Sequence, residues 1–92
     1  MFYLWIPGPE LALLRIRQRV KKGGHDVPAR DVRRRYRRTL QNLFDLYRPF
    51  VDKLRLFDNS TDDPRLIFED ADGVTTVYDV VLYERLLREV KG

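Results

Sequence analysis

Residues 23–43 read GGHDVPARDVRRRYRRTLQNL. Two glycines, a proline five residues on, and then a long run without a helix breaker mark the end of one helix and the start of another. From Pro28 to about Tyr47, the residues Val32, Tyr36, Leu40, Leu43, Tyr47 and Phe50 recur at steps of three and four. That is the apolar stripe of an amphipathic helix. Asp26 is the expected cap and Pro49 the expected stop. Upstream, Leu13, Ile16 and Val20 repeat at helical spacing, with Lys21 and Lys22 at the C-terminal end, so GGHD joins two helices into a hairpin.

Outside the hairpin the periodicity changes. Phe2–Ile6, FYLWI, is a short aromatic and branched run, predicted to be a strand buried on both faces as in a parallel sheet. PGPE breaks it and opens the first helix. KLRLFDNS predicts a second strand with Leu54, Leu56 and Phe57. RLIFE and VTTVY flank DADG and predict a β-hairpin. Asp79 is placed to cap a last helix with Val81, Leu82, Leu86 and Val90 on its apolar side. The predicted order is strand, two helices, strand, β-hairpin, helix: an α/β chain forming one domain or domain fragment, with a helical hairpin over 9–50, strands over 53–78 and a final helix over 79–91. A strand, helical crossover and second strand predict a parallel pair with a right-handed connection. The first strand looks central, yet at most one neighbour is available to it.

Composition narrows the chemistry. Ninety-two residues without cysteine form no disulfide or thiolate metal site, and one histidine argues against a His-built one. No apolar run reaches the ~18–20 residues of a membrane span. MFYLWIPGPE is short, has no basic leader and holds two prolines, so it is not read as a secretory signal; a cytoplasmic location is expected. Net charge is +4, but it is divided. Residues 1–50 carry twelve Lys/Arg against four Asp/Glu, and residues 51–92 carry six against ten. The basic half favours an anionic ligand such as phosphate.

Six of the nine residues from Arg30 to Arg38 are arginine. With Tyr36 centred on the apolar stripe, Arg35, Arg38, Thr39 and Asn42 are expected to form a polar ridge along one border, and Arg30 and Arg34 to point outward. Arg15, Arg19 and Lys22 share a face of the preceding helix at i, i+4 and i+7. Two such ridges set face to face would suit a bound phosphate, because the guanidinium fork donates several hydrogen bonds to its oxygens. Composition and spacing leave three readings open: a solvated face, a nucleic-acid-binding helix, and a phosphate clamp. His25 alone reads as a turn residue.

The blocks PELALLRIRQRVKKGGHDVP, RRRYRRTLQNL and LRLFDNS, in that order, resemble the C-terminal half of zeta-toxin-like P-loop kinases, over about Tyr3 to Ile67. The resemblance implies that the hairpin is a lid over ATP. Arg19 and Arg35 would clamp its phosphates, and Arg38, Thr39 and Asn42 would supply further nucleotide contacts, joined by Arg15 from the face it shares with Arg19. Asp58, Asn59 and Ser60 would form the loop after the last parallel strand, which would either face the nucleotide base as part of the binding site or shape that site. Gly23, Gly24, His25 and Pro28 would position the turn. The complete family members use ATP and Mg²⁺ to phosphorylate a hydroxyl. This chain departs from them in one respect: its glycines lie at 8, 23, 24, 73 and 92, so G-x-x-x-x-G-K-[ST] is absent. No metal ligand is assigned, no tight cofactor binding is expected, and turnover by this chain alone is not expected. The expected partners are ATP and a separate P-loop-bearing half, or a second copy paired through the first strand. Nucleic acid on the arginine-rich helix is the alternative; a membrane is not expected.

Overall fold

The structure is a computed structural model that describes residues 1–24 and 27–91. Its elements are β1 (Phe2–Trp5), α1 (Pro9–Lys21), α2 (Ala29–Asn42), a π-helical turn (Leu43–Tyr47), β2 (Lys53–Asp58), β3 (Arg65–Ala71), β4 (Val74–Val77) and α3 (Val80–Lys91). The predicted order of elements is therefore present. The cap expected from Asp26 and the turn role of His25 lie outside the described residues.

Each helix end has a local cause. Gly8 holds φ at 95° just before Pro9, a conformation that costs glycine little. At the other end of α1, Gly23 has φ 105°. Its N–H donates to the Val20 carbonyl at 3.0 Å, and the Gly24 N–H donates to that of Arg19 at 3.1 Å. These two bonds make a Schellman cap. The Pro28 carbonyl accepts the first N–H groups of α2, from Asp31 and Val32. Asp79 caps α3 as predicted: its Oδ1 accepts the Leu82 N–H at 3.0 Å.

The four strands form one mixed sheet in the order β1-β2-β3-β4. Only β1 and β2 are parallel, in register from Phe2 opposite Arg55 to Trp5 opposite Asp58. The other two pairings are antiparallel. The predicted β-hairpin turns on Asp72 and Gly73, at φ 53° and 79°, between Ala71 and Val74. This is the Asp-Gly chemistry favoured in two-residue turns. A bulge where β2 meets β3 leaves Ile67 as the extra residue. Its carbonyl accepts the N–H groups of Tyr78 and Asp79 and so fixes the start of α3.

One face of the sheet carries the core. Trp5, Leu54, Leu56, Ile67 and Phe68 meet Leu40 of α2, Leu43 of the π-helical turn and Leu86 of α3. Full burial stabilises each such side chain by about 1.5–3 kcal/mol. The opposite face is exposed. Phe2, Arg55, Glu69 and Thr76 lie in line across it, and Phe2 and Leu4 are 70% and 55% accessible. This corrects the expectation that β1 is buried on both faces: Tyr3 and Trp5 face inward, whereas Phe2 and Leu4 do not. The strand is at the sheet's edge and only one of its faces is packed.

The apolar stripe of α2 is likewise corrected at its end. Val32, Leu40 and Leu43 are buried, but Tyr47 and Phe50 are 52% and 82% accessible, while Phe44 packs on the core. The Arg48 N–H donates to the Leu43 carbonyl five residues back, at 2.7 Å. That wider turn inserts one residue into the helical register and swings the later side chains off the stripe. Val81, predicted to face the core, is 75% accessible, and Tyr83 takes the inward position.

Candidate functional site

The helical spacing of α1 sets the first candidate site. Arg15, Gln18, Arg19 and Lys22 line a cavity of about 490 Å³, facing Asn59, Thr61 and Asp62 from the loop after β2. Two bonds hold that loop in place. The Asn59 N–H donates to the Trp5 carbonyl at 2.7 Å, prolonging the β1–β2 ladder. The Ser60 N–H donates to Asp58 Oδ1 at 2.9 Å, closing an Asx turn whose aspartate is buried. Asp58 and Ser60 thus shape the loop and Asn59 faces the cavity. The loop leaves the carboxyl end of a parallel strand, the usual place for ligands in α/β sheets.

A second groove, of about 250 Å³, runs along β1. Tyr3, Leu4, Trp5 and Ile6 form one wall, Ile16 of α1 contributes to it, and Arg35 and Thr39 stand on the α2 side. The groove is largely apolar and carries one guanidinium. Arg19 and Arg35, the two expected clamp residues, therefore line neighbouring depressions on adjoining faces of the helical hairpin and do not share one cavity.

Arg38 is elsewhere. It lines an outward depression of about 320 Å³ with Arg33, Arg34, Arg37 and Gln41. The expected ridge of Arg35, Arg38, Thr39 and Asn42 is split accordingly. At about 100° per residue, Arg38 falls about 40° from Arg34 but about 60° from Arg35. Asn42, half-buried at the end of α2, lines neither the α1 cavity nor the β1 groove.

The cations differ in how they are compensated. Arg33 lies 3.9 Å from Glu10, and Arg34 lies 3.6 Å from Asp31. Among the described residues, Arg15, Arg19, Lys22, Arg35, Arg37 and Arg38 have no carboxylate within ion-pair distance. The α1 cavity thus offers two guanidiniums, an ammonium, two amides and a hydroxyl against the single carboxylate of Asp62. The chemistry of this donor set suits an anion better than a cation. It is a poor setting for Mg²⁺, which would find one carboxylate beside three cations, and no group of three or more His, Cys, Asp or Glu that could hold a metal occurs among the described residues.

Two polar constellations went unforeseen in the sequence. The Tyr36 hydroxyl accepts from Trp5 Nε1 and from the Gly8 N–H, each at 2.8 Å, and donates to Glu89 Oε2 at 2.5 Å. Burial, reinforced by the Glu89 carboxylate, pushes its pKa well above the usual tyrosine range. Arg48 is the second. It forks onto Asp70, at 2.5 and 3.1 Å, and lies over the rings of Phe44, Phe68 and Tyr83. Burial opposes its charge, but hydrogen bonds to Asp70 and Tyr83 outweigh that and raise its pKa. The first constellation lies beside the β1 groove, which Tyr36 and Trp5 line, and the second ties the end of the π-helical turn to β3 and α3 away from both depressions. Phe44 sits one helical turn before Arg48, but the hydrogen-bonding partners lie 22 to 53 residues apart, so no spacing rule reveals them.

No family model, curated protein or solved structure matches this chain. Among the described residues no helix is long and apolar enough to cross a membrane.

Proposed function

We propose that the chain binds the polyphosphate of a nucleotide through Arg15, Arg19 and Lys22, as the lid and C-terminal part of a phosphotransferase of the zeta-toxin-like kind. The observation that carries this reading is the α1 cavity. Three cations from one helix, without carboxylate partners among the described residues, face Asn59 at the carboxyl end of a parallel strand. Such a set suits successive phosphates, with charge-assisted bonds from the two guanidiniums and a point charge from Lys22. Arg35 and Thr39, on the adjoining face, join the phosphates when the helical hairpin closes over the ligand.

The sequence has no glycine-rich phosphate loop, so lid arginines here lack the main cradle for phosphoryl transfer. A second polypeptide segment would provide it. The outer edge of β1 supports this view, because a strand with one neighbour presents unpaired backbone groups along its other side. The chain alone is then a binder without turnover.

Calorimetric titration of the chain with ATP, with inorganic triphosphate and with adenosine tests the proposal. ATP and triphosphate should bind saturably and adenosine should not. Arg15→Ala/Arg19→Ala should weaken triphosphate binding at least about tenfold, since each lost charge-assisted bond is worth about 1.5–3 kcal/mol. Equal binding by the double variant, or no saturable binding by the parent, overturns the assignment.

A further inference from the structure

The outward face of α2 takes no part in that cavity. Arg34, Arg37, Arg38 and Gln41 line the separate 320 Å³ depression, with Arg33 at its rim. Arg30 lies one turn before Arg34, and all five of these arginines are exposed. We propose that this face docks on duplex DNA by gripping its phosphate backbone.

Arg30 and Arg34, Arg33 and Arg37, and Arg34 and Arg38 are like-charged pairs at i, i+4. Each destabilises the helix by about 0.2–0.5 kcal/mol. Of the carboxylates beside this face, Glu10 and Asp31 reach Arg33 and Arg34 at 3.9 and 3.6 Å through exposed arginines, where such pairs contribute little, and Glu89 lines a depression with Arg33 and Arg37 without coming within ion-pair distance of either. Arg30, Arg37 and Arg38 have none among the described residues. An anion on this face relieves the repulsion.

The length of this face selects the kind of anion. From Arg30 to Gln41 the helix rises about 16 Å, at 1.5 Å per residue. One phosphate would engage only a fraction of that length, whereas a duplex carries a charge about every 1.7 Å of its axis. Binding a single strand without sequence preference draws on aromatic rings that stack its bases. The aromatic residue of α2, Tyr36, is turned inward, its hydroxyl engaged by Trp5, Gly8 and Glu89. The major groove of B-form DNA, about 12 Å wide, admits one helix, while that of A-form RNA is too deep and narrow. Arginines on both flanks of the exposed arc, Arg33 and Arg37 on one side and Arg34 and Arg38 on the other, are placed for both walls of such a groove.

Fluorescence anisotropy of the full chain with a labelled 20-base-pair DNA duplex, from about 50 to 200 mM salt, tests this. The affinity should fall steeply with salt, with a logarithmic slope of about −3 or steeper. Arg37→Ala/Arg38→Ala should weaken binding at least about tenfold at 0.1 M salt and flatten the slope by about two. Arg88→Ala, an exposed arginine on α3, should bind as the parent does. Thermal melts should show the double variant at least as stable as the parent, because both replaced side chains are exposed and two like-charged pairs are removed. An unchanged slope or affinity in the stably folded double variant overturns the proposal, as does equal binding of single-stranded DNA or duplex RNA of the same length. The triphosphate titration reads a different cavity, so the two proposals fail independently.

Discussion

Tyr36 shows how much one hydroxyl can organise. It joins β1 through Trp5, the loop before α1 through Gly8, and α3 through Glu89. Tyr36→Phe keeps the ring but strands two donors and one carboxylate oxygen. The expected cost is about 1–3 kcal/mol, read as a lower urea midpoint. The same residue shapes the alkaline limit of stability. Its pKa is raised above the ordinary value of 10.0, so the folded state keeps a proton that the unfolded chain releases. The resulting stability is intact below about pH 10 and is lost as pH rises further. Burial also raises the pKa of Tyr3, so Tyr36→Phe should flatten the fall in urea midpoint between about pH 9 and 11 without abolishing it. Periodicity placed Tyr36 on the inner stripe of its helix. The partners of its hydroxyl are 28, 31 and 53 residues away and leave no trace in any local pattern.

Among the elements, the helical hairpin was the most legible and also the most instructive where the reading failed. Gly-Gly after a basic last turn announced the end of α1, and a Schellman cap is what those glycines make. Gly23→Ala isolates that contribution. An added Cβ meets nothing within 4 Å, so the strain comes from φ 105° alone, and about 1 kcal/mol should be lost in thermal or urea melts. Of the candidate site, Arg15, Arg19 and Lys22 were readable because i, i+4, i+7 spacing survives in any regular helix. Arg38 was misplaced beside Arg35 because it lies near the boundary between two faces, where small angles decide. The later part of the α2 stripe was misread for another reason: a π turn shifts the register, and nothing in Leu43–Tyr47 advertises it.

For the whole molecule, the kinds and order of the elements, the parallel β1–β2 pair and the β-hairpin were readable, since helical and alternating patterns rarely imitate one another at these lengths, whereas the antiparallel β2–β3 pairing that makes the sheet mixed rather than parallel was not. The exposure of β1 was not predicted. An apolar run reads as buried on both faces, whether or not anything covers the second one. The two faces can be told apart by experiment. Trp5→Ala, at 1% accessibility, should cost about 3–5 kcal/mol, whereas Phe2→Ala, at 70%, should lower stability by no more than about 1 kcal/mol. Comparable losses in urea melts would mean that the outer face is covered in solution.

The parallel pairing of β1 with β2 also has a kinetic consequence. The β2–β3–β4 meander joins neighbours through short turns, but Phe2 must find Arg55 across half the chain. Closing so long a loop is entropically slow to be repaid. During synthesis β1 emerges well before β2, the strand it pairs with here, and its aromatic side chains wait in solvent until that later strand arrives. The three-stranded meander is then the early scaffold, and docking of β1 with its Trp5–Tyr36 bond is the late step that completes the sheet.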